Sequence, residues 1–239
     1  MSDNAERPRP FSRPGFIAAA IVVLLILVAG GIAVIVGITS SRDPGPTPTD
    51  TSGLGPSAED ASVCGLEGFE TESSLTVAPD NDWELVGTVA APTDPAVGPG
   101  VVDSDGFRSC FAHTAEGALY AAVNYVASSS DPRLQPRLWT LLESGPVRDQ
   151  AEAASSSATF EPSASRLQVA GFRVLKYSAS TAVIDVAWQV TAPATGLMSQ
   201  PIEFVWQEGD WRLATTATGL PYSSSTLESL GGYTLWTGA

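Results

Sequence analysis

RLQVAGFRVLKYS at 166–178 and TAVIDVAWQVT at 181–191 decide the fold. Both are rich in Val, Ile and aromatic residues, both alternate apolar with polar positions, and only Ala179-Ser180 separates them. A period of two belongs to a strand, whose side chains point in turn to opposite faces. The pair therefore reads as two neighbouring strands joined by a short turn. In the second, Ile184, Val186, Trp188 and Val190 share one face, which sends Asp185 to the other, at an outward or rim position. Beyond Pro193 and Gly196 the alternation resumes: PIEFVWQ gathers Ile202, Phe204 and Trp206, and Glu208-Gly209-Asp210 turns the chain into WRLATT, with Trp211 and Leu213 inward. Glycine in a tight turn between alternating runs is a strong hairpin signal.

Upstream the period is helical. Ala115, Ala118, Leu119, Ala122, Val123 and Val126 recur at i, i+3, i+4, behind Thr114 as an N-cap and Glu116 in the first turn, where the helix dipole favours an acid. A second helix is expected over Pro136–Glu143, with Leu138, Leu141 and Leu142 as its buried stripe, and a weaker third over Val147–Ser156. Trp83 to Val89 reads as one strand in an otherwise irregular stretch broken by Pro92, Pro95 and Pro99. Helices first and consecutive strands after them predict an α+β fold, with helices packed on one face of a curved antiparallel sheet.

The 239 residues carry 12 basic and 26 acidic side chains, a formal charge of −14. An acidic surface repels phosphate backbones, which argues against direct nucleic-acid binding and for a soluble exported domain. The compartment follows from the other end of the chain. Phe16–Ile38, FIAAAIVVLLILVAGGIAVIVGI, holds no charge and no proline. Roughly 20 apolar helical residues cross the hydrocarbon core, and the run is longer than a cleavable signal's apolar stretch. Arg7, Arg9 and Arg13 precede it while only Arg42 follows closely, so the positive-inside rule keeps the N-terminus cytoplasmic and exports the rest. Ala29, Ala33, Gly37 and Ser41 form a small-residue ladder, the pattern that lets two membrane helices approach closely and self-associate. Cys64 and Cys110 both lie beyond the span, and in an oxidising compartment they are expected to form a disulfide closing a loop of about forty-odd residues.

The expected layout is a cytoplasmic stub (1–15), a transmembrane helix (16–38) and a Pro/Gly/Ser/Thr linker (39–63). An irregular disulfide-stapled lobe (64–112), the α+β domain (113–218) and a C-terminal tail (219–239) follow, and the aromatic patch Gly231-Gly232-Tyr233-Thr234-Leu235-Trp236 in that tail is expected to dock back onto the domain.

Three helices followed by a curved sheet whose last hairpin reads VWQEGDWRL resemble the nuclear transport factor 2-like (cystatin-like) cone fold. Anchor, linker and such a domain together are similar in layout to the TcpC-like assembly proteins of conjugation and type IV secretion machines. The strings Cys64-Gly65-Leu66, Arg108-Ser109-Cys110-Phe111-Ala112-His113-Thr114, Glu116-Gly117-Ala118-Leu119-Tyr120-Ala121-Ala122 and Gly232-Tyr233-Thr234-Leu235-Trp236 resemble an actinobacterial family of membrane proteins often found in mobile-element loci. The resemblance implies a fold and a location, and fold alone does not assign an activity.

No nucleophile motif, phosphate loop, zinc spacing or paired-cysteine redox motif is present in the sequence, and neither a metal nor a cofactor is expected. His113, the only histidine, would need a nucleophile or carboxylate partner to act as a base. Trp188, Trp206 and Asp185 are the candidate pocket residues, set against the commoner role of strand aromatics as core. The leading expectation is a non-enzymatic, membrane-anchored interaction protein with protein partners and self-association through the span. An extracytoplasmic small-molecule binder or sensor is the alternative, and a hydrolase or isomerase centred on Asp185 or His113 the third reading.

Overall fold

A computed structural model describes residues 59–163, 166–192 and 195–237. The Phe16–Ile38 run, its ladder of Ala29, Ala33 and Gly37, the stub and most of the linker lie outside the described residues. Among the described residues no helix is long and apolar enough to cross a membrane.

In chain order the elements are β1 (Asp82–Val86), β2 (Val89–Thr93), β3 (Val101–Val102), β4 (Arg108–Ser109), α1 (Ala115–Ser130), a 3₁₀ helix (Gln135–Leu141) and α2 (Pro146–Ser155). Then come β5 (Arg166–Ser178), β6 (Thr181–Ala192), β7 (Gly196–Gln207), β8 (Asp210–Leu213), β9 (Ser225–Leu227) and β10 (Thr234–Leu235). The principal sheet runs β1-β2-β5-β6-β7-β8, with β10 added to β5 and β9 to β7, and it curls into a half-barrel. The α+β class holds. The sheet is mixed rather than wholly antiparallel, because β2 meets β5 in parallel at Val89↔Leu167.

Helix α1 lies inside the curl. The Thr114 side chain caps it by accepting the Gly117 N–H at 3.0 Å. Ala118, Ala122 and Ala127 have no measurable exposure, and a Cβ on Gly117 would sit 2.0 Å from the Ala112 carbonyl oxygen. These small side chains allow close approach, Leu119, Tyr120 and Val123 fill the space between, and a helix buried on nearly every side belongs to a core. Its apolar neighbours include Ile184, Val186, Trp188 and Phe204. Those side chains interdigitate with the helix as in any close-packed interior.

Several local expectations are corrected. The single strand from Trp83 to Val89 is a hairpin, β1–β2. Its turn uses Gly87 at φ +57°, where a Cβ would lie 2.2 Å from Ser130 Oγ, and the Thr88 N–H donates to that hydroxyl at 3.0 Å. The stretch 64–112 therefore contributes two strands to the main sheet. Pro136–Glu143 is a 3₁₀ helix over Gln135–Leu141, and the third helix runs Pro146–Ser155. The C-terminal stretch adds strands β9 and β10, and its aromatic end docks back onto the domain as expected, Trp236 being 4% exposed among Trp83, Tyr120 and Phe172.

Candidate functional site

The most elaborate polar construction is the joint where the chain enters the domain. Residues 59–64 are held from several sides. Trp206 Nε1 donates to the Glu59 carbonyl oxygen at 3.0 Å, and the Val63 N–H donates to that of Gly209 at 2.9 Å. One ring nitrogen of His113 lies 2.8 Å from the Asp60 carbonyl oxygen, and the other meets the carbonyl of Ala179 in the β5–β6 turn. The imidazole stacks on Trp206, centroids 3.7 Å apart and planes within 5°, with Phe69 and Trp211 edge-on. Both ring nitrogens of the only histidine thus face backbone carbonyls, and which of them donates depends on the tautomer. The end of the expected linker is accordingly part of the folded unit.

The Cys64–Cys110 disulfide completes the joint, as expected. Cys110 adopts φ +66°, the left-handed region, unusual for a residue with a side chain. Asp210 holds it there. Its carboxylate accepts the N–H groups of Cys110, Phe111 and Trp211, each at 2.9 Å. Arg212 stands 3.7 Å away. Burial pushes the Asp210 carboxyl above the ordinary carboxylate range, while Arg212 and the three N–H donors pull it back. A shallow groove of about 550 Å³, lined by Glu59, Val63, Trp206 and Glu208 among others, runs beside the joint.

A second polar cluster lies on the β6 face opposite α1. Asp185, expected at an outward position, is completely buried. It accepts from Ser199 Oγ at 2.7 Å, Tyr233 Oη at 2.6 Å and Arg173 Nη2 at 2.5 Å. Arg173 also lies over the Tyr233 ring, 4.1 Å from its centroid. The alternation sets Asp185 opposite Ile184, Val186 and Trp188 as expected, but not in an outward or rim position. Both faces of β6 are covered, and the side expected to meet solvent lies beneath the chain leading to β10.

The candidate pocket residues are not brought together. Trp188 is wholly buried in the core against α1, and Asp185 points from the other face of the same strand. Trp206 lies at the joint, eight residues along β7 from Met198, the cross-strand partner of Trp188. At about 3.3 Å per residue that is roughly 26 Å away. Sequence reading missed Ser62, Arg173, Asp210 and Tyr233. Asp210 stood in a Glu-Gly-Asp string that reads as a turn, and only its place directly after the glycine, at the start of β8, hinted otherwise.

Residues 44–235 match the model of a family described as DUF8175, a domain of unknown function. The chain belongs to this family. No curated protein and no solved structure matches it. The DUF8175 match takes in the joint, both polar clusters and β10 together with the helices and the central strands. Its chemistry must therefore be read from these residues.

Proposed function

We propose that this DUF8175 protein is a single-pass membrane protein whose exported domain, of the nuclear transport factor 2-like kind, serves as an interaction module in an envelope assembly such as a DNA-transfer apparatus. The observation that carries the reading is the joint. A stretch that only had to connect would need no anchoring, yet residues 59–64 are fixed by a disulfide, a stacked His113–Trp206 pair and backbone bonds to the β7–β8 turn. Such a joint transmits the direction of the tether to the domain, which is what an assembly subunit requires.

The charge pattern supports protein partners. Arg108, Arg133, Arg137, Arg148, Arg173 and Arg212 are each paired with a carboxylate of the domain itself. No lysine or arginine occurs between Arg42 and Arg108, while Glu67, Glu72, Asp80 and Asp82 from that stretch are exposed. The outward field is acidic and suits a basic protein surface. The test is chemical cross-linking in intact cells followed by purification of the full-length chain from membranes. Recovery with components of a transfer apparatus supports the proposal. An isolated monomer, or a chain found in the soluble fraction, overturns it.

A further inference from the structure

The two sulfurs of the joint are not equivalent. Cys110 Sγ accepts a hydrogen bond from the Ser62 hydroxyl at 3.0 Å and another from the Cys64 N–H at 3.2 Å. A disulfide sulfur carries no hydrogen, so Ser62 is the donor. Cys64 Sγ has only the longer Ser62 contact, at 3.5 Å. Exposure runs the other way: Cys110 is 1% exposed, whereas Cys64 is partly open to solvent. The nearest neighbours of Cys64 include the exposed Gly100, which has no side chain and where a Cβ would stand 2.3 Å from the sulfur, and Leu66. Cys110 is also the fixed partner, its backbone N–H bound to the buried Asp210 carboxylate. That carboxylate opposes negative charge on Cys110, but Arg212 and its own three N–H donors engage it.

In thiol–disulfide exchange a thiolate attacks one sulfur and the other leaves with the electron pair, so access decides the first and stabilisation of the departing thiolate the second. We propose that Cys64–Cys110 is an exchangeable disulfide, attacked at Cys64 by an external dithiol and releasing Cys110 as the leaving thiolate held by Ser62. The incoming thiolate forms a new S–S bond to Cys64 Sγ as the Cys64–Cys110 bond breaks. The electron pair goes to Cys110 Sγ, which accepts from Ser62 and the Cys64 N–H until it takes a proton from solvent. The reductant's second thiolate then attacks its own sulfur in the mixed disulfide, leaves Cys64 as a thiolate and closes the reductant's disulfide. Two electrons pass from the dithiol to the cysteine pair. The site would make the joint's staple reversible through partners of the thiol-reductase class, and it stands independently of the assembly role.

The experiment uses the full-length protein in detergent, without denaturant, treated with the monothiol N-acetylcysteine, quenched with acid, alkylated with N-ethylmaleimide and mapped by mass spectrometry. The expected product carries N-acetylcysteine on Cys64 and maleimide on Cys110. An adduct on Cys110, an equal mixture, or no adduct short of unfolding overturns the proposal. Rates add a second reading. Ser62→Ala should slow the reaction roughly fivefold to tenfold, the worth of one hydrogen bond, while Ser62→Thr keeps it. Equal rates for the two variants, with near-ultraviolet circular dichroism unchanged, would remove Ser62 from the mechanism and sink the asymmetry argued here.

Discussion

Asp210 shows how one side chain organises the joint. Its carboxylate satisfies three buried N–H groups and stabilises the left-handed backbone of Cys110, so it links the β7–β8 hairpin to the disulfide. An amide in its place turns one accepting oxygen into a donor that faces another donor. Asp210→Asn should therefore destabilise the domain by about 1–3 kcal/mol, read from urea unfolding. The pH dependence has a definite sign. Burial raises the folded carboxyl above its ordinary value of 3.8, so over the window between the two the folded state holds the proton more tightly than the unfolded chain. That contribution is full below the ordinary value and is lost as pH rises through the raised one. The stability gap between the natural protein and the Asn variant should accordingly narrow from pH 4 toward pH 7, and a gap that widens would show that the N–H donors outweigh burial. Beyond its place after the glycine, the string Glu208-Gly209-Asp210 does not distinguish such a carboxylate from an ordinary turn residue, because two of its three N–H partners lie about a hundred positions away.

At the scale of elements, alternation placed the bounds of β5 and β6 almost to the residue, since a period of two over a dozen positions is hard to mistake. What alternation cannot show is a bulge. Counting straight back from Ser178↔Thr181 would set Arg173 opposite Val186. The irregularity between Val174 and Lys176 shifts the pairing by one, so that Arg173 meets Asp185 and their charges join. The β1–β2 hairpin is not legible in the sequence for a related reason: Gly87-Thr88 is too brief a break in an apolar run, and Ser130, which braces it, is remote in sequence. The C-terminal strand offers the sharpest test. β10 can lie on β5 because Gly171 has no side chain, and a Cβ there would stand 2.7 Å from the Thr234 carbonyl oxygen. A backbone atom cannot swing aside as a flexible side chain can. Gly171→Ala should displace β10, loosen Trp236 and cost about 1–3 kcal/mol, the usual penalty of overpacking. Faster hydrogen exchange confined to 233–236, with a red-shifted tryptophan emission, is the expected signature. Unchanged exchange there would mean that β10 is held by Trp236 alone.

For the molecule as a whole, the order of helices and strands was readable because each is a local periodicity, whereas closure of the sheet depends on contacts between distant segments. β2 reaches β5 across the whole helical region, and β9 and β10 return to β7 and β5 from the end of the chain. The wrapped sheet leaves the joint beside the β5–β6 and β7–β8 turns, to which Ala179 and Gly209 contribute carbonyl oxygens. If the Phe16–Ile38 run anchors the chain, the joint is where that tether enters the domain, and pairing of two spans would bring two joints near one another. In the proposed arrangement the small-residue ladder would supply the means of pairing. Without a hydrophobic drive between helices in lipid, association relies on close backbone approach, which bulky side chains prevent. Replacing Ala33 and Gly37 with leucine keeps the run apolar, so insertion should be unaffected while pairing is lost. Measured by cross-linking of the full-length chain in native membranes, the dimer band should fall several-fold in Ala33→Leu/Gly37→Leu with the monomer still membrane-bound. A dimer band of undiminished strength would assign any pairing to the exported domain, and would move the search for its contact surface to the acidic stretch between Arg42 and Arg108.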